Sequence, residues 1–195
     1  MITSSLRNFF SGLALVSFLS VGAASAQSLV GVNAKLDRAL DSSKATVGQS
    51  VTARLDGTVT AGGTKLPRGT ELIGKVAEVK NEGSPVSVSL LFTSAKLKDG
   101  KDIPIKATVL AAFPQSGDYA NGESAVGQPP VQVDASSAFD QPPGGLGHVA
   151  LTSAVKNQNS GTFTSTKGDF RLEAGTYLQV GIAPVSSGSS MNAAE

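Results

Sequence analysis

Between Val86 and Phe113, apolar and polar side chains alternate on either side of an Asp99-Gly100 pair, a pattern that commits the stretch to a β-hairpin. Val86, Val88, Leu90 and Phe92 lead into the pair, and Ala107, Val109, Ala111 and Phe113 lead out of it. Asp-Gly predicts a two-residue type I′ turn, in which both turn residues take φ > 0. Such a loop sets Lys98 against Lys101. Phe92 then faces Ala107, Leu90 faces Val109, Val88 faces Ala111 and Val86 faces Phe113. All eight share one side, because side chains alternate with period two. In this register Pro104 faces Ala95 at a non-hydrogen-bonded position, so its missing N–H leaves the hairpin intact and marks an outer edge without a partner.

Upstream, Pro67 and Gly69 predict a turn, after which Leu72, Gly74 and Val76 alternate with polar neighbours as a strand. Glycine in mid-strand at position 74 predicts a bulge or a close backbone approach. Val30, Val32, Ala34 and Leu36 form a first strand; Val51, Ala53 and Leu55 form a second that continues past Gly57 to Val59. Pro114 to Gly147 holds Pro129, Pro130, Pro142 and Pro143 with much Gly and Ser, and reads as a long flexible loop over 114–147. Short strands resume at Val149 and Leu151, at Phe170 and Leu172, and from Tyr177 to Ala183. Residues 184–195 read as a disordered tail. One segment is echoed: Leu66-Pro-Arg-Gly-Thr-Glu-Leu72 parallels Leu172-Glu-Ala-Gly-Thr-Tyr-Leu178, which predicts two similar strand entries in a pseudo-symmetric barrel.

Residues 1–26 carry the marks of a secretory signal peptide: Arg7, an apolar run from Phe9 to Val21, and a small-residue end at Ala24-Ser25-Ala26. Cleavage after Ala26 would leave 169 of the 195 residues and, since Arg7 is the only charge removed, take the formal charge from +1 to zero. A neutral chain without clustered Lys and Arg suggests neither nucleic acid nor an anionic membrane surface as partner. With no cysteine, a lipoprotein anchor is excluded, and stability after export must come from a core rather than from disulfides. No transmembrane segment is expected after signal cleavage, and residues 27–183 are read as one domain.

The inventory for catalysis is thin. His148 is the only imidazole, lies beside a Gly-rich stretch and has no Gly-x-Ser-x-Gly motif to serve. Asp99 and Asp102 belong to a turn. Asp118, Asp134 and Asp140, with Asn121, lack the spacing of a calcium loop. Gly144-Gly145-Leu146-Gly147 is not followed by Lys-Ser/Thr and is no phosphate loop. No catalytic residue, metal ligand or cofactor is expected. Tyr119, Phe139, His148 and Tyr177 are the candidate contacts for a partner or ligand.

Several motifs in order resemble the β-barrel domain of the TrbI-like channel component of type IV secretion systems. They are Val32-x-Ala34-x-Leu36, Val47-Gly48-x-x-Val51-x-Ala53, Leu66-Pro67-x-Gly69-Thr70-x-Leu72-Ile73-Gly74, Asp99-Gly100-x-x-Ile103 and Ala174-Gly175-Thr176-x-Leu178. The resemblance spans about Val30 to Ala183 and implies an all-β barrel serving as an envelope scaffold. Where that family inserts apolar antenna helices, this chain has the Gly/Pro-rich 114–147 stretch, which brings it closer to small secreted β proteins that share the sheet. The expectation is an all-β domain, a small barrel or sandwich, in the periplasm or outside the cell. It would act as a non-enzymatic scaffold or protein-interaction module that engages an envelope protein, or a second copy of itself, through a sheet edge or the long loop. The alternative expectation is a ligand- or glycan-binding module that uses the barrel mouth and the loop aromatics.

Overall fold

A computed structural model describes residues 29–115, 132–134 and 136–185. The signal-like residues 1–26, Tyr119, and the tail after Val185 lie outside the described residues. The first eight strands are β1 (Leu29–Leu36), β2 (Leu40–Asp41), β3 (Ser50–Leu55), β4 (Val59–Ala61), β5 (Thr64–Leu66), β6 (Glu71–Lys80), β7 (Val86–Lys96) and β8 (Asp102–Phe113). They are followed by β9 (Gln132–Val133), β10 (Ala138–Leu146), β11 (Val149–Ala154), β12 (Gly161–Ser165), β13 (Arg171–Leu172) and β14 (Tyr177–Pro184). The fold is all-β.

Six strands in the order β7-β6-β3-β1-β14-β8 close into a barrel through a short β7–β8 pairing. From β7 the sheet also continues outward through β12 and β11 to β10. The barrel interior is filled by alternate side chains of its strands, among them Leu36, Leu55, Leu72, Leu90, Phe92 and Leu178, all buried. A small barrel of this strand number has no room for more than its own side chains. A second, smaller core of Leu29, Leu110, Val133, Val155 and Ala183 lies apart from the first, with Phe139 packed against it.

The hairpin forms with a different turn. Gly100 has φ 86°, but among the described residues none other than glycine has positive φ, so Asp99 does not adopt the type I′ conformation. Instead Leu97 N–H donates to Lys101 C=O and Gly100 N–H to Leu97 C=O, which leaves a three-residue loop of Lys98, Asp99 and Gly100. The Asp99 carboxylate accepts the Lys101 N–H at 3.0 Å and holds the loop. One extra loop residue shifts the register by one: Ser94 faces Pro104 and Ala95 faces Ile103.

Pairing of β7 with β8 ends there, because the strands part and Ser160 enters between them. Its N–H donates to Leu90 C=O, its C=O accepts from Val109 N–H, and its hydroxyl accepts from Phe92 N–H, at 2.7, 2.7 and 2.9 Å. Leu90 therefore lies opposite Gly161 and Val76, not Val109. Six of the eight residues assigned to one face are buried as expected. Ala111 and Phe113 are not, because the β8–β14 register slips beside Val109, and Leu110 turns outward into the second core.

The stretch 114–147 is not a loop throughout. Gln132–Val133 pairs with β1, and Ala138–Leu146 pairs with β11 despite Pro142-Pro143-Gly144-Gly145. Here the Gln141 side-chain amide acts as a further rung, accepting from Ala112 N–H and donating to Ala112 C=O, both at 2.7 Å. The edge of β8 that β7 abandons is thus covered by Ser160, by the Ser153 hydroxyl on Val109 C=O at 2.5 Å, and by Gln141. The second strand also stops at Leu55, with Val59–Ala61 forming a separate ribbon with β5. Gly74 shows the predicted close approach: a Cβ there would lie 2.6 Å from Leu91 O, beside a register shift.

The echoed segments occupy equivalent places. Gly69 N–H donates to Leu55 C=O and Leu55 N–H to Thr70 C=O; in the same manner Gly175 N–H donates to Leu36 C=O and Leu36 N–H to Thr176 C=O. Both threonine hydroxyls are buried and donate three residues back, to Pro67 C=O and to Glu173 C=O. Strands β3 with β6 and β1 with β14 are therefore two copies of one unit, adjoining along the β1–β3 pairing.

Candidate functional site

The two copies adjoin through a matched pair of ion pairs. Arg54 reaches Asp37 at 3.2 Å, and at the equivalent positions Lys35 reaches Asp56 at 3.2 Å. Arg68 adds a second cation on Asp56 at 2.7 Å. The hydrogen bond to Asp37 raises the Arg54 pKa above its ordinary value, and Lys35 is raised chiefly by its hydrogen bond to Tyr177. These are half-exposed pairs, worth well under about 1 kcal/mol each; their effect is to pin the seam where β1 and β3 meet.

Beyond the Asp37–Thr52 rung the seam opens. The chain turns away through Arg38 and Ala39 into β2, which pairs with β13 instead. A cleft of about 730 Å³ results, walled by Asp37, Arg38 and Ala39 on one side and by Ser50, Thr52, Arg54 and Glu71 on the other. The ladder parity fixes which main-chain groups face it. Odd-numbered residues of β3 bond to β6, as Leu55 N–H to Thr70 C=O and Val76 N–H to Gln49 C=O indicate. Even-numbered residues bond to the β1 side, as Asp37 N–H to Thr52 C=O and Asp56 N–H to Asn33 C=O indicate. Ser50 N–H, Ser50 C=O and Thr52 N–H therefore point into the cleft, and no protein group among the described residues pairs with them.

The aromatic and imidazole candidates go elsewhere and to different surroundings. Tyr177 lies on the barrel exterior with the Lys35 ammonium 4.8 Å from its ring centroid, a cation–π contact. Phe139 is half-buried against the second core. His148 sits in the turn before β11 with Nε2 3.5 Å from Asp169 C=O. Tyr119 lies outside the described residues. Among the described residues no three His, Cys, Asp or Glu side chains gather to hold a metal ion, and no helix is long and apolar enough to cross a membrane. The cleft residues themselves carried a signal: Val32-Asn-Ala-Lys-Leu-Asp37 repeats as Val51-Thr-Ala-Arg-Leu-Asp56, which places Lys35, Asp37, Arg54 and Asp56 in register with one another.

Fold and site together define an all-β protein built on a closed six-stranded barrel, with a polar exterior cleft at the join of two like halves. No family model and no curated protein matches the chain. Among solved structures it is similar to ComB10 of the Com type IV secretion system of Helicobacter pylori, at 11% identity and a TM-score of 0.37, covering 81% of this chain and 86% of that one.

Proposed function

We propose that this chain is an exported, non-enzymatic module of the cell envelope that works by holding a protein partner. The observation that carries the reading is the contrast between the inside and the outside of the barrel. Among the described residues the interior is filled by buried aliphatic side chains with Phe92, and Phe163 of β12 packs in the same core, which leaves no chamber for a small molecule. The exterior carries a cleft where main-chain donors and an acceptor stand without partners among the described residues. Unfilled strand positions of this kind recognise extended protein segments. The resemblance to TrbI-like barrel domains supports a scaffold role, and the signal-like residues 1–26 support export.

The test combines fractionation with site-specific crosslinking in the native host. A mature chain starting at Gln27 outside the cytoplasm, crosslinked to one discrete envelope protein from positions around the barrel, is the expected result. Retention in the cytoplasm, or crosslinks that scatter without a preferred partner, would sink the proposal.

A further inference from the structure

The geometry points to the cleft between the end of β1 and β3 as a docking notch for an extended, acid-bearing segment of the partner, paired antiparallel to Ser50–Thr52 with a carboxylate on Arg38. This inference rests on the partner-holding function proposed above. Three observations carry it.

The first is the spacing of the unpaired groups. Ser50 N–H and Thr52 N–H lie two residues apart on one edge of a strand, roughly 7 Å, the repeat at which an extended chain presents successive inward-facing groups. With Ser50 C=O between them, the edge offers two donors and one acceptor.

The second is the fate of the same edge in the other half. The position of β3 that begins at Ser50 corresponds to Gly31 on β1. Immediately before Gly31 the β1 edge is taken by β9, an extended piece of this chain that pairs antiparallel through Leu29 with Val133 and Val30 with Gln132. One copy of the unit thus has its edge completed by an extended segment. The other is bare. An extended segment is thus accepted on this edge of β1 at Leu29 and Val30, the positions equivalent to Gly48 and Gln49 beside the notch, and Asp134 follows directly after β9.

The third is charge. Of the four charged side chains on the cleft wall, Arg54 is held by Asp37 and also feels Glu71. Arg38 is exposed, with no ion pair among the described residues. A guanidinium at the mouth of a main-chain notch selects a carboxylate, which it can bind with two parallel hydrogen bonds. The edge is only three residues long and ends at the Thr46–Gln49 turn, so it accepts a short segment and does not template open-ended sheet growth.

The experiment uses amide hydrogen exchange by NMR on the mature chain. Two acetylated hexapeptides of alternating threonine and valine serve as probes, one with a central aspartate and one with lysine in its place. In the free protein Ser50 and Thr52 amides should exchange fast while Val51 and Ala53 are protected. Saturating aspartate peptide should slow Ser50 and Thr52 by about tenfold or more, and the lysine peptide should bind about tenfold more weakly. Thr52→Pro removes a donor that the barrel ladder does not use, and Arg38→Glu reverses an exposed charge. Each should reduce binding of the aspartate peptide about tenfold with the protection of Val51 and Ala53 unchanged.

Protection of Ser50 and Thr52 in the free monomer, or equal response to both peptides, overturns the inference. So does a dimer that Thr52→Pro dissolves, which would assign the notch to a second copy. Failure of the two ideas separates cleanly. Native crosslinks that survive Arg38→Glu with Thr52→Pro remove the notch and leave the partner-holding function standing. Peptide binding at the notch in a chain with no native crosslink does the reverse.

Discussion

The unit formed by β1 with β14 and the unit formed by β3 with β6 share a turn, a ladder register and an ion pair, yet among the described residues only one has a further strand along its edge. Leu66 and Leu172 enter equivalent strands, Gly69 and Gly175 turn with φ 86° and 82°, and Leu72 and Leu178 are both wholly buried. At the far edge the units differ. The β1 unit has β9 beside it, and the β3 unit has the open cleft. Repetition inside one chain builds a barrel cheaply in sequence terms, and the places where the repeat fails are where the two halves take on separate tasks.

The largest expected effect tests the equivalence itself. Leu72→Ala and Leu178→Ala should each lower stability by about 2–5 kcal/mol in urea unfolding, agreeing to within about 1 kcal/mol, because both leave a cavity in the same core. A loss at one site only a fraction of that at the other would break the comparison. Next comes a place where the repeat is already broken. Gly74 corresponds to Val180, which is buried without difficulty, whereas a Cβ at Gly74 meets Leu91 O at 2.6 Å and Phe92 Cδ1 at 2.7 Å. Gly74→Ala should therefore destabilise by about 1–3 kcal/mol through overpacking, and a neutral result would show that the β6–β7 bulge can relax.

Smaller again are Thr70→Val and Thr176→Val. Each removes a buried hydroxyl that donates to the turn carbonyl at 2.7 or 2.8 Å, with an expected loss of about 1 kcal/mol in either half, read from the same unfolding curves. The smallest effect is confined to one half. Asp41 in β2 titrates below its ordinary 3.8, chiefly because the Ser43 hydroxyl donates to its carboxylate, while the matching position in β4 is Thr60. A depressed carboxyl pKa stabilises the fold above the unfolded-state value, and that contribution is lost as pH falls through the lower folded value. An NMR titration should place the Asp41 midpoint below the ordinary value, and Ser43→Ala should move it back upward.

Much of the barrel could be read from local pattern. The buried face of β7 follows from Val86, Val88, Leu90 and Phe92, since a period-two pattern needs only one buried side. The turn at Gly69 was legible because its backbone conformation calls for glycine. Pairing was less legible. One added loop residue at Lys98-Asp99-Gly100 and one outward Leu110 were enough to change partners, and neither leaves a compositional mark. Ser160 between β7 and β8 belongs to a distant turn, and nothing near Leu90 announces it. Strand β10 was hidden by Pro142-Pro143-Gly144-Gly145, whose composition reads as loop; its place in the sheet comes from β11 and from Gln141 on Ala112. Within the candidate site, Asp37 and Arg54 could have been found from the repeated Val-x-Ala-x-Leu-Asp motif. Phe139 and Tyr177 are candidate contacts by residue type alone, and tertiary neighbours give both of them packing partners.

What the residue order settled alone was the kind of structure: strands from alternation, turns from glycine and proline, and a twofold theme from the echoed Gly-Thr entries, all of which depend on interactions only a few residues long. Which strand lies beside which, and which edge stays bare, was decided in three dimensions. Main-chain hydrogen bonds are chemically identical at every position, so their partners are selected by the packing of side chains far apart in the chain.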